Sequence, residues 1–196
     1  SDLLLPRDLS AKRIPSEICG HLDQDPDSPF HNLIKRPSDA GREHKGVITD
    51  TAVISMIKNS MNNPLGALSA FRTSKNGRDG IDIKSMYELL VTFWTAVKDV
   101  FPHAWGKDPR QSRLMHSAGI EAMGVLMDRI YARIQPFGDP KTVERELQRI
   151  APYCCWTEGT WESLGIAWNE IENTHRDIRK LQTVLVNIYS AAGIER

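Results

Sequence analysis

Chemistry in a chain of this kind would come from its histidines, thiols, clustered carboxylates or basic residues, and their spacing tests each in turn. His116 and His175 fall on apolar helical faces, where a hydrogen-bonded core histidine is favoured over a ligand or base. His21, His31, His44 and His103 lie in or beside loops, without the His-x-x-x-His or Glu-paired spacing of a zinc site. Cys154 and Cys155 are neighbours and Cys19 is far away, so no two-residue redox or metal spacing exists, and ordinary thiols are expected. Asp23, Asp25 and Asp27 crowd one proline-broken stretch. Such clusters hold divalent cations, but turns also favour aspartate for capping alone, and capping is the expectation. NGRDG at 76–80 lacks the lysine and the strand-to-helix context of a phosphate loop, and no serine stands in a nucleophile elbow. Nothing supplies a nucleophile, a base orienter and an oxyanion donor together, even around His31, Asp25 and Asp27. No cofactor or metal is expected, and the reading is non-enzymatic.

Basic residues remain. Lys35, Arg36, Arg42 and Lys45 surround one loop, with Asp39 and Glu43 partly cancelling them. Lys107, Arg110 and Arg113 lead into a helix whose free N-terminal N–H groups also favour a phosphate. Together the two segments would make a patch for nucleic-acid backbone. The rival reading is an ordinary solvated surface.

The element that must position these groups runs from Arg110 to Gln135. His116, Ile120, Met123, Met127, Ile130 and Ile134 recur at three- and four-residue spacing, and Leu126 and Tyr131 widen the stripe. The opposite strip, Glu121, Val125, Asp128 and Ala132, is narrow and only half polar, so neighbouring helices must enclose this one. Gly119 and Gly124 inside it, at about 1 kcal/mol each against alanine, predict a very close approach by another backbone.

Around it the pattern predicts a helix capped by Ser10 and running through Leu22, then an irregular DQDPDSPFHNLIKRP with a short extended piece at Phe30, Leu33 and Ile34. Ser38 to Gly46 and Ser74 to Gly80 read as exposed loops. Thr49 or Asp50 starts a helix that Asn62, Asn63 and Pro64 stop, and its sequel has a faint helix-turn-helix cadence. Asp82 opens a strongly amphipathic helix that Pro102 ends. A short one spans about Pro140 to Ile150, with proline at its favoured first position. The last is expected over Leu164 to Ala192, exposing Trp161 and Trp168 near one end. The fold class is thus all-α, a multi-helix bundle around a central buried helix at about 110–135, with few or no strands.

At 196 residues the chain fits a single helical domain with a sizeable core. Lys plus Arg balance Asp plus Glu at 25 each, so nucleic acid would meet a local patch and not a globally basic surface. No apolar run approaches the roughly 20 residues that cross a bilayer, and Ser1 to Arg13 is charged and contains Pro6, unlike a secretory leader. Three cysteines make no disulfide framework, so a cytoplasmic location is expected.

Several stretches together resemble the C-terminal part of the DGQHR-domain family, which includes the DndB-type proteins of bacterial DNA phosphorothioation loci. They are LPRDLS, DPDSPFHNLIKRP, GVITDTAV, FPHAWG and SRLMHSAGIEAMGVLMDRI, with WNEIENTHRDIRKL near the end. The matches keep the family's order over most of the chain. The DGQHR motif itself, part of an N-terminal module similar to ParB and sulfiredoxin folds, is missing, and RDGID at 78–82 does not replace it. The resemblance implies a fragment, the helical part downstream of that module, with a role in bacterial DNA modification or its transcriptional regulation. Expected partners are DNA, reached through Lys35, Arg36, Arg42, Lys45, Lys107, Arg110 and Arg113, the missing module, or a second copy of the chain. The alternative is a structural dimerisation module with no nucleic-acid role.

Overall fold

The computed structural model describes residues 11–37, 46–72, 80–134 and 139–194. Six α-helices occur among them: α1 (Ile14–Gln24), α2 (Asp50–Asn62), α3 (Ile83–Val100), α4 (Ser117–Arg133), α5 (Pro140–Gln148) and α6 (His175–Ile194). Two short strand pairs, with strands of two residues each, and four 3-10 helices accompany them. β1 (Ile34–Lys35) runs parallel to β2 (Ile48–Thr49), and β3 (Thr160–Trp161) antiparallel to β4 (Ile166–Ala167). The protein is a helical bundle, as its hydrophobic periodicity requires. No helix among the described residues is long and apolar enough to cross a membrane.

Side chains fix where the helices begin. Thr49 Oγ1 accepts the Ala52 N–H at 3.3 Å, Asp82 accepts from Ser85 at 3.1 Å, and Asp139 accepts from Thr142 at 2.7 Å. Each satisfies a donor that the first helical turn leaves orphaned. Ser10, the cap expected for the first helix, lies outside the described residues. Arg13 occupies the cap position there, with Pro15 in the first turn.

The centre of the bundle is α4, which packs chiefly against α2 and α6, while α3 packs on α5 and α1 on α2. Of its residues, Ala118, Gly119, Ile120, Ala122, Met123, Gly124, Leu126, Met127, Asp128, Ile130 and Tyr131 are all buried, so it is enclosed on more than one side. Its start differs from expectation. The central helix is expected from about residue 110, but it begins at Ser117. Residues 113–115 form one 3-10 turn, and His116, in extended backbone, caps α4 by accepting the Ala118 N–H at 3.2 Å on Nδ1.

The two glycines have separate reasons. A Cβ on Gly119 would collide with the Arg113 carbonyl, so the backbone that comes close belongs to the chain's own entering turn. A Cβ on Gly124 would meet the Met56 side chain of α2. Asp128, on the strip expected to be half polar, is buried too. Its Oδ1 accepts from Ser60 Oγ at 2.6 Å and from the Ala67 N–H at 2.8 Å, which pins the turn after α2 to α4.

Other boundaries also move. The last helix begins at His175, not Leu164. Gly159 and Gly165, at φ +86° and +64°, let the preceding residues form the β3–β4 hairpin, and Trp161 is buried beneath it at 1% exposure. Trp168 is half-buried, so the exposed tryptophan surface expected there is not formed. His175 stands exposed at the first residue of α6, not in an apolar seam. After α2 the chain makes a turn and a 3-10 helix at Ser69–Arg72, which is not the second helix of a helix-turn-helix. Residues 38–45 and 74–79, which make up most of the two expected loops, lie outside the described residues. Gly46, at the end of the first, is buried because a Cβ there would strike the Ile34 and Lys35 backbone.

Two outcomes follow. Gly119→Ala, despite a gain of about 1 kcal/mol in helix propensity, should lower stability by roughly 1–3 kcal/mol in urea unfolding, because the carbonyl it meets cannot rotate away. The Asp128 carboxyl is raised above its ordinary range by burial, against the pull of Ser60 and Ala67. A raised folded-state value means its contribution is present below the ordinary aspartate range and is lost as pH rises through the folded value. Asp128→Asn keeps the acceptor oxygen, so its urea midpoint should vary less than that of the unsubstituted protein between about pH 4 and pH 7.

Candidate functional site

The basic residues sit on the segments that leave the aromatic core. Phe30 packs on Trp94 and Trp105 with ring centres 5.1 and 5.4 Å apart, so the stretch before β1 lies against the turn that follows α3. In β1 the pleat buries Ile34, whose N–H donates to Asp23 Oδ1 at 3.1 Å, and turns Lys35 outward. Gly106, at φ +77°, then turns the second segment so that Lys107 is exposed. Arg110 is 90% exposed and grips Asp108 through Nε at 3.0 Å and Nη2 at 3.3 Å. Arg110 holds the Asp108 carboxyl below its usual range, and the nearby Lys35 charge adds to the effect. Lys35, Asp108 and Arg110 are thus electrostatic neighbours, with Lys107 adjoining them in sequence.

Two of the expected basic residues face the protein. Arg36 is half-buried with its guanidinium against Gly20 of α1, where a Cβ would come 3.3 Å from Nη2. Burial pushes the Cys19 thiol up to about 11, while the Arg36 guanidinium beside it pulls the other way. Arg113 donates from Nε to the Ile171 carbonyl at 2.8 Å, from Nη2 to the Asn169 carbonyl at 2.7 Å, and from Nη1 to the Pro109 carbonyl. Its guanidinium carbon also lies 5.8 Å from the centre of the Trp168 ring. Arg42 and Lys45 lie outside the described residues.

Several of the remaining candidate groups are engaged by the fold. His116 is spent on its cap, and burial, then the Arg113 charge, lowers its tendency to protonate. His31 Nδ1 sits 3.1 Å from the Asp23 carbonyl. Asp25 accepts from Tyr87 Oη at 2.7 Å and from the Asp27 N–H at 3.0 Å, so these aspartates organise a turn. Among the described residues no three potential ligands gather as a metal site would need. Cys154 and Cys155 are free, and burial raises both thiols. Periodicity did not signal one cluster: Glu146 of α5 takes a hydrogen bond from Tyr189 of α6 and one from Arg149 at 3.0 Å, and Arg149 caps the Ala192 carbonyl at 2.6 Å. It ties α5 to α6.

Comparison with protein-family models, with curated proteins and with solved structures finds no match to this chain.

Chemically, the arrangement can neutralise anionic groups at its surface, and the described residues present no constellation for covalent or acid–base catalysis. Replacing Lys107 or Arg110 with alanine should leave the thermal midpoint essentially unchanged, because both side chains are exposed and solvent screens the Arg110–Asp108 pair. Arg113→Ala should cost roughly 2 kcal/mol or more, since three carbonyls lose a charged donor. Thermal unfolding of the three variants separates the surface role from the internal one.

Proposed function

We propose that this chain is the non-enzymatic helical domain of a DndB-like DGQHR protein, acting in bacterial DNA modification or its transcriptional regulation and contacting DNA phosphates directly. The family part of the reading rests on the ordered motifs from LPRDLS to WNEIENTHRDIRKL. One observation supports the DNA part: Phe30, shortly before β1, packs on Trp105 with ring centres 5.4 Å apart, which brings the segment of Lys35 and that of Lys107 and Arg110 onto neighbouring ground. Lys35, Lys107 and Arg110 are exposed there and meet phosphates. Their contacts position the protein on a duplex and do not read base edges.

The test is a titration of duplex DNA against the chain at several salt concentrations. Affinity should fall steeply with ionic strength, and Lys107→Ala plus Arg110→Ala should reduce the slope of log K against log salt by about two. Binding indifferent to salt, or no binding, removes the DNA reading. Such a result, combined with concentration-dependent sedimentation, would favour a module that pairs with its own copy.

A further inference from the structure

We propose that Arg113 serves the basic surface as a positioning residue: it latches the turn bearing Lys107 and Arg110 to the segment 168–171, so that the two open and close as one unit. The latch is a fork with three acceptors. One is the Pro109 carbonyl, next to Arg110; the others, Asn169 and Ile171, are 56 and 58 residues further along the chain. Main-chain contacts of the same residue extend it. The Arg113 N–H donates to the Trp156 carbonyl at 2.9 Å, and its own carbonyl is the atom that leaves no room for a Cβ on Gly119. One residue therefore joins the basic turn, the start of α4 and the segment leading into α6.

The segment it holds carries the opposite charge. Glu158, Glu162, Glu170 and Glu172 are all exposed, and residues 158–172 contain no lysine or arginine. An acidic strip of this kind repels a polyanion, so its fixed place relative to Lys107 and Arg110 decides from which side phosphates approach. A planar, delocalised guanidinium suits the task, since a lysine ammonium cannot span three carbonyls in fixed directions or lie flat over Trp168. Arg113 thus acts on anion binding through position, with each of its three guanidinium nitrogens already donating to a main-chain carbonyl.

Arg113→Lys is the decisive variant, because it keeps the charge and loses the fork. Amide hydrogen exchange of the free chain, which needs no ligand, should show residues 107–112 and 168–172 both accelerating tenfold or more in this variant. Should the variant fail to fold, Trp168→Leu takes its place, with the same paired acceleration expected at smaller amplitude. Acceleration of one segment without the other, or of neither, overturns the latch. The DNA arm rests on the function proposed above: Arg113→Lys should weaken duplex binding at every salt concentration while leaving the salt slope unchanged, whereas Lys107→Ala lowers the slope by about one. If Arg113→Ala lowers the slope by one and Arg113→Lys restores it, Arg113 is a phosphate contact and the proposal fails. If the unsubstituted chain binds no DNA, the DNA reading falls by itself, and the exchange result still decides the latch.

Discussion

The close seating of α4 is the constraint on which the other elements depend. Met56 of α2 fits against it only because residue 124 has no side chain, and the entering turn folds back only because residue 119 has none. Two helix-propensity penalties of about 1 kcal/mol each, at Gly119 and Gly124, are outweighed by burying Ile120, Met123, Leu126, Met127 and Ile130, each worth roughly 1.5–3 kcal/mol. The carboxylate taken into this contact is also satisfied. Asp128 reaches a hydroxyl and a backbone N–H, and it uses them to hold the turn that follows α2.

From that centre the surface follows. Because α4 begins only at Ser117, Lys107 and Arg110 are presented from the irregular backbone between α3 and α4. Phe30, Trp94 and Trp105 clamp the stretch before β1 against the same turns. Loops carried on so rigid a base are where binding residues are commonly found. A neutral chain can therefore hold a basic turn and an acidic strip at fixed places, with Arg113 between them.

Much of the bundle was legible because apolar spacing and capping chemistry agreed. Thr49, Asp82 and Pro140 stand at the starts of α2, α3 and α5, as their residue types require. The failures share a cause: periodicity reports which residues are apolar at a given spacing, not whether the backbone between them is helical. Leu164, Trp168 and Ile171 have helical spacing but lie on a hairpin and the turn after it, where Gly165 adopts positive φ. His116 continues the α4 stripe in register, yet it is the cap that ends the preceding turn. The role of Arg113 left no local signal, since its acceptors are backbone carbonyls that any residue supplies. The same holds for Tyr189 with Glu146, and for Tyr87 with Asp25, whose partners are far apart in sequence. Exposed Lys35, Lys107 and Arg110, by contrast, stand out by residue type alone.

Residue-level hydrogen exchange of the native chain, measured under conditions where each amide reports its opening free energy, tests the central placement of α4 most directly. Enclosure between α2 and α6 predicts that the amides of residues 121–130 are among the slowest in the molecule and exchange only with global unfolding. Exchange there as fast as in the short, outlying α5 would contradict the account.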